Sequence, residues 1–565
     1  MTARAAKPGF VELFTPKLVT ILRERYQLSD FRADAIAGLT VAIVALPLSM
    51  AIAIASGVGP ERGLYAAIVG GFIVSGLGGS RFQVGGPAGA FIILVAATVA
   101  QHGIDGLLLA TILSGVILLA LGLLRLGTFI KYIPYPVTVG FTAGIAVIIL
   151  ASQLKDLLGL TLAGPEPGPI IPKLTALGAA LPDANATAMA VAAGSIGLIL
   201  VLRKLRPHWP GFLIAVVLAA VATALFNLPI ETIGSRFGGI PAGLPAPHLP
   251  PISLDRITAV LPSALSFALL GGIESLLSAV VADSMSGRRH RSNCELVAQG
   301  VANITSALFG GICVTGTIAR TATNVRAGSH GPISGMLHAL FLLGFMVVAA
   351  PLARFIPLSA LAGLLAVVAW NMAEKHEIAI LLRASRGDAV VLLVTFLLVV
   401  FRDLSTGIVA GFSIGALLFL HRLAQATEVR QPHGMVEDDQ ADGEDARLPY
   451  DAAMSSASDV VVYRISGAFF FGSAGAVGAA LDRIGEQPRA YVVDVSEVPL
   501  LDSSAAASLA GFASRAGRNG TAVWISGASP AIRRMLRHHG LHPPVVRFRA
   551  CLAQAFDEAR SQPSA

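Results

Sequence analysis

The sequence predicts a polytopic α-helical membrane protein of fourteen apolar segments, two of them short facing half-helices, followed by a small cytoplasmic α/β domain. Three observations predict it. Of 565 residues, 54% are hydrophobic and 13% charged, with a mean hydropathy of +0.72, a balance foreign to soluble domains. The apolar residues come in blocks of about twenty, the length that crosses roughly 30 Å of hydrocarbon. The blocks stop near position 424, where charge and strand-like alternation take over.

The apolar runs lie near 33–56, 63–79, 86–100, 105–124, 135–151, 185–202, 211–227, 257–281, 293–309, 317–328, 332–352, 357–372, 387–401 and 404–421. Four stretches follow: a cytoplasmic N-terminal segment (1–32), a transmembrane transport domain (33–424), a linker (425–458) and a C-terminal domain (459–565). The linker contains EDDQADGED and is read as disordered, being charged and poor in apolar residues.

A net charge of +7 does not indicate nucleic acid, because the basic residues cluster between apolar spans as the positive-inside pattern requires. Arg203, Lys204 and Arg206, then Arg288, Arg289 and Arg291, then Lys375, Arg383 and Arg386 all fall on one side. Arg4, Lys7, Lys17, Arg23 and Arg25 interrupt the N-terminus before any signal-peptide core forms. The N-terminus is therefore expected in the cytoplasm, and an even number of spans returns the C-terminus there. Cys294, Cys313 and Cys551 are far apart, without metal-ligand spacing, so neither a disulfide framework nor a metal site is expected. No nucleophile paired with a base and no P-loop supports an enzyme.

The two short runs carry the functional signal. QVGGPAGAFIIL (83–94) is the third run and VTGTIARTATNV (314–325) the tenth, and each opens on glycine or proline before a half-length helix. Such segments in corresponding positions of two halves point to a transporter site. Their offset of seven is odd, so the second runs opposite to the first. Facing half-helices turn free N–H groups and positive dipole ends toward one point, which attracts anions. Arg320 adds a full charge with a fork suited to an oxyanion; its alternative use is an ion pair that holds helices together.

The eighth run carries Glu274 among apolar neighbours. A carboxyl group able to cycle between protonated and ionised forms suits proton coupling, and a structural partner of Arg320 is the alternative. His338 reads as a satisfied packing residue, Arg402 and Asp403 as an interfacial pair, and Pro47 as a break in the first helix near the site, with a simple kink as the alternative. Beyond the linker, 459–474, 490–504 and 521–526 read as strands, and 475–484, 505–517 and 531–538 as helices.

The lines ALPLSMAIAIASGVGPERGLYAA, FQVGGPAGAF, ETIGSRFGGIP, GGIESLLSAVVADSMSGRRHRSNCELVAQGVANI and TGTIARTATNVRAG resemble the SulP family of anion transporters, relatives of sulfate permeases, bicarbonate and dicarboxylate transporters. The C-terminal stretch around DVSEVPLLDSSAAASL (494–509) is similar to STAS domains. The resemblance implies two inverted repeats of seven segments, a core and a gate domain, elevator-like movement, a homodimer and multi-pass residence in the cell's inner (plasma) membrane. Carried over by position, Ala88 and Gly89 open the third half-helix, and Thr317, Ile318, Ala319 and Arg320 open the tenth, with the anion between them. Glu274 matches the acidic position of the eighth segment. Ile318 stands where sodium-coupled members have a hydroxyl and Ser278 replaces a threonine, so no cofactor beyond a coupling proton is expected and sodium is disfavoured. Leu48 stands after Pro47 where many relatives have Gln. Ser503 or Ser504 would match a phosphorylated serine of the STAS loop, although Ala505 replaces the motif's glycine; helix capping by residues 502–504 is the alternative.

The resulting expectation is a proton-coupled symporter of a small anion: sulfate, a C4-dicarboxylate or bicarbonate. The alternatives are an electroneutral anion exchanger, an anion sensor signalling to a cytoplasmic partner through the STAS domain, and a nucleobase transporter, which would lack the cation at Arg320.

Overall fold

The computed structural model describes residues 9–128, 134–164, 166–206, 209–426, 428–430, 460–470, 473–474, 477 and 488–561. The chain divides into two compact units, Met1–Phe412 and Ser413–Ala565.

Each of the apolar runs coincides with a helix. The first is Leu28–Ala55, and the second is made of Pro60–Tyr65, the π-helical turn Ala66–Gly70 and Gly71–Leu77. The third opens as the 3-10 turn Gly89–Phe91 and continues into Ile92–Leu123, which Gly103, at φ 67°, divides into the third and fourth segments. The fifth to seventh are Tyr135–Leu158, Ala186–Leu205 and Gly211–Phe226; the eighth and ninth are Leu254–Ser286 and Ser292–Leu308. The tenth, Ile318–Arg326, has 9 residues, about 14 Å of helix, or half the hydrocarbon thickness. Ile333–Ala353, Leu358–Met372, Arg386–Phe401 and Leu404–Gln425 complete the series.

Packing repeats with a period of seven segments. The first helix packs on the eleventh and the eighth on the fourth, which is one contact seen twice. The ninth–fourth contact likewise matches second–eleventh, and fifth–thirteenth matches twelfth–sixth. Small residues permit these approaches: a Cβ on Gly115 would stand 2.6 Å from the Gly300 carbonyl oxygen, and one on Gly300 would stand 2.6 Å from that of Gly115.

Three expectations need correction. Pro47 does not break the first helix, which is continuous from Leu28 to Ala55. The missing N–H leaves one carbonyl without its helical donor, but Ala45, Leu48, Met50 and Ala51 are buried around it and keep the segment helical. Arg402 and Asp403 form no ion pair; Asp403 instead caps the last segment, accepting from Thr406 N at 2.8 Å and Thr406 Oγ1 at 2.6 Å. His338 is fully buried, yet neither ring nitrogen has a partner.

The second unit carries a sheet in which Glu428–Arg430 pairs antiparallel with Val460–Ser466, followed by parallel Ala490–Glu497, Ala522–Ser526 and Arg547–Arg549. Helices Ser503–Arg518 and Pro530–His538 bury Leu509, Phe512 and Leu536 with Tyr463 and Val493 on one face. Leu552–Ser561 places Phe556 against Val492 and Trp524 on the other. Burial on both faces explains the apolar run AYVV, Ala490–Val493. The first strand begins inside the stretch read as linker; the rest of that linker, and nearly all of the predicted helix at 475–484, lie outside the described residues. Asp502 caps Ser503–Arg518 by accepting from Ala505 N at 2.9 Å. Replacing it with alanine should destabilise this unit by about 1 kcal/mol, read as faster amide exchange over residues 503–506.

Candidate functional site

The lead-ins to the two half-helices are hydrogen-bonded to each other. Gly85–Gly86 pairs antiparallel with Thr315–Gly316, in register Gly85↔Gly316 and Gly86↔Thr315. Antiparallel pairing sends the chains away in opposite directions, so the helices begun at Gly89 and Ile318 present their N-termini to a common centre. At each start the first N–H groups have no carbonyl one turn behind them; the first intrahelical bonds are Phe91 N to Ala88 O at 3.1 Å and Thr321 N to Thr317 O at 3.0 Å.

Arg320 joins the two lead-ins. It is 2% exposed, and its Nη2 donates to Ser49 Oγ at 3.1 Å and to the Pro87 carbonyl at 3.2 Å, while Nη1 reaches the Gly85 carbonyl at 3.5 Å. Its Nε has no partner. None of the ion pairs among the described residues, taken to 4.0 Å, includes Arg320 or Glu274. The ion-pair use of Arg320 therefore fails. The guanidinium rests on neutral oxygens and has no direct carboxylate partner, while Glu274 lies within its electrostatic reach.

Glycine at position 86 is a requirement of that arrangement, because a Cβ there would stand 1.8 Å from Arg320 Nη1. Gly86→Ala should displace the guanidinium and lower stability by about 1–3 kcal/mol, measured by thermal unfolding in detergent together with anion affinity.

The residues singled out from sequence occupy this centre to different degrees. Ala88 and Thr317 are 3% and 8% exposed, Gly89 and Ile318 are partly buried, and Ala319 is exposed. A Cβ on Gly89 would meet Ile149 Cδ1 at 3.1 Å and Met372 Sδ at 3.8 Å, so the fifth and twelfth segments wall this end of the third. Thr317 Oγ1 and Glu274 Oε2 are buried without partners. Ser278 donates to Thr321 Oγ1 at 3.0 Å, and that oxygen also accepts from Val84 N at 3.3 Å.

Sequence reasoning missed several groups that hold the centre. Ser49 contacts Arg320, Thr315 Oγ1 donates to the Gly271 carbonyl at 2.9 Å, and Asn324 Nδ2 donates to the Phe82 carbonyl at 2.9 Å. Asn303 clamps the tenth segment's lead-in from both sides, donating to the Val314 carbonyl at 2.8 Å and accepting from Val314 N at 2.9 Å. The available signal was Glu295, Gln299 and Asn303, one face of the ninth helix at four-residue spacing. In the C-terminal unit Ser503 and Ser504 are exposed, and the capping reading holds for Asp502.

Residues 31–395 match the sulfate permease family, and residues 452–555 match the STAS domain. The chain belongs to the sulfate permease family. The Bacillus subtilis protein YvdB, which carries the name of a sulfate transporter, is 39% identical over 91% of this chain and 95% of its own. The bicarbonate transporter BicA of Picosynechococcus is 31% identical over 90% of each. Among solved structures, the transmembrane domain of a cyanobacterial BicA is 32% identical and has a TM-score of 0.62, covering 68% of this chain and 98% of that one. SLC26A9 shares the fold at a TM-score of 0.82 and 19% identity, covering 96% and 92%. This sulfate permease family member is thus a membrane transporter with a C-terminal STAS domain, and its relatives are transporters and not enzymes.

Proposed function

We propose that the chain is a secondary active transporter of a small anion, sulfate, bicarbonate or a C4-dicarboxylate, driven by co-transported protons. The observation that supports it most is the strand pair that sets two helix N-termini against each other with an unpaired Arg320 across them. The anion would sit between the N–H groups at Ala88–Gly89 and those at Ile318–Ala319, with the Thr317 hydroxyl as a further donor; the Thr317 N–H itself is engaged by the Val84 carbonyl at 3.3 Å. Two dipole ends and a guanidinium outweigh the desolvation of a buried anion better than either alone. Glu274, with one oxygen unsatisfied, would carry the coupling proton.

Protons are preferred over sodium for a stated reason. A hard cation needs several oxygen ligands, and Ile318 offers none. A proton on Glu274 that enters with the anion lowers the charge the anion alone would bring, which eases an elevator-like passage of the core through hydrocarbon. In the same reading the chain lies in the plasma (inner) membrane as a dimer with both termini cytoplasmic, and Ser503 and Ser504 are open to a modifying or partner protein.

Uptake by proteoliposomes tests the reading. An inward proton gradient should accelerate uptake of one of the three anions, and cold competition among them should identify it. Counterflow from preloaded anion that ignores the gradient would establish exchange instead, and binding without flux would establish a sensor.

A further inference from the structure

Glu295 lies on the ninth segment, 0% exposed, and the mechanism above does not use it. Its Oε2 accepts from the backbone N–H groups of Gly79 and Ser80 at 2.9 and 3.1 Å. Its Oε1 accepts from Gln299 Nε2 at 3.0 Å and from Ser275 Oγ at 3.4 Å. Ser275 in turn accepts from Gln83 Nε2 at 2.7 Å. Four donors thus converge on its two oxygens, an arrangement that suits a carboxylate. Glu274, one residue from Ser275, is the opposite case, with an orphaned oxygen. The lead-in that Glu295 grips runs directly into Gln83, Val84 and the Gly85–Gly86 strand, and therefore into the start of the third half-helix. A Cβ on Gly316 would collide with the Gln83 side chain, so the same chain of bonds also abuts the tenth lead-in.

We propose that Glu295 is a positioning residue for the anion site: its carboxyl group clamps the third segment's lead-in to the ninth helix through Gly79 and Ser80 and to the eighth through Ser275–Gln83, and so fixes the spacing of the two half-helix N-termini. This rests on the anion-site reading. The group acts at a distance, because it touches neither Arg320 nor the helix N-termini. A glutamine offers one acceptor oxygen in place of two, so it cannot accept from the Gly79–Ser80 pair and the Ser275–Gln299 pair together.

The test measures uptake kinetics in proteoliposomes with the anion selected by the competition assay. Glu295→Gln should raise KM about tenfold, the loss of one or two charge-assisted hydrogen bonds in binding geometry, with Vmax within about twofold. The acceleration by an inward proton gradient should persist, since the coupling proton resides elsewhere. Ser275→Ala, which removes one hydroxyl and leaves the backbone clamp, should shift KM in the same direction by about threefold and covers the case of a Glu295→Gln protein that does not fold. An unchanged KM in Ser275→Ala together with an unchanged KM or a misfolded product in Glu295→Gln would overturn the inference. Loss of proton acceleration in Glu295→Gln would also overturn it, by making this carboxyl the coupling site. Wild-type protein that binds none of the anions would instead overturn the anion-site reading itself.

Discussion

Arg320→Ala is expected to weaken anion binding about 100-fold and to abolish measurable uptake. The side chain is the only full positive charge named at the centre, and it is buried and unpaired, so its removal leaves an anion to be held by helix N-termini alone. Truncating one partner of a buried charge pair costs roughly 2–5 kcal/mol, and 100-fold corresponds to about 2.7 kcal/mol. Part of the loss is structural, because the guanidinium also binds Ser49 and the Pro87 carbonyl. Arg320→Lys separates the two: it keeps the charge but loses the fork that reaches both oxygens. Binding by Arg320→Lys should therefore fall between wild type and alanine. Calorimetry on detergent-purified protein reads both, and unchanged affinity in Arg320→Ala would remove this residue from the site.

Glu274→Gln should keep anion binding within a few-fold and lose acceleration by an inward proton gradient. Glutamine preserves the shape of the carboxyl group while removing the proton cycle, so counterflow exchange should survive where gradient-driven accumulation does not. With outside pH lowered and inside pH fixed, wild-type initial rates should rise and those of the variant should stay flat. A variant still driven by the gradient would show that the proton binds elsewhere, or that none is carried.

The half-helices were legible in the sequence because two physical rules meet there: glycine or proline ends regular structure, and the apolar run that follows is too short to span. Arg320 was legible because charge is rare at that depth. Its partners were not, since carbonyl oxygens at Gly85 and Pro87 leave no trace in side-chain identity. Pro47 misled for a related reason: proline removes one hydrogen bond, but whether a helix breaks depends on the packing around it, and here Ala45 and Leu48–Ala51 are buried. Glu295, Gln299 and Asn303 were hidden inside a run counted as apolar, although their four-residue spacing marks one face. His338 shows the limit of reading single residues, because its burial was foreseen and its lack of partners was not. In the C-terminal unit the central strands announced themselves by apolar runs, whereas the edge strand Glu428–Arg430 is three residues long and reads as part of a charged linker.

The central claim is that an anion lies between the two half-helix N-termini, and substrate protection tests it whichever anion is transported. Ala319 is exposed at the mouth of the tenth segment, while Cys294 and Cys313 are buried and Cys551 is exposed. A transport-competent Ala319→Cys variant, with Cys551 replaced by serine, can be titrated with a membrane-impermeant thiol reagent. The transported anion should slow modification of residue 319 in proportion to its occupancy, with half-protection at the uptake KM. An unchanged modification rate at anion concentrations that saturate uptake in the same preparation would contradict the site.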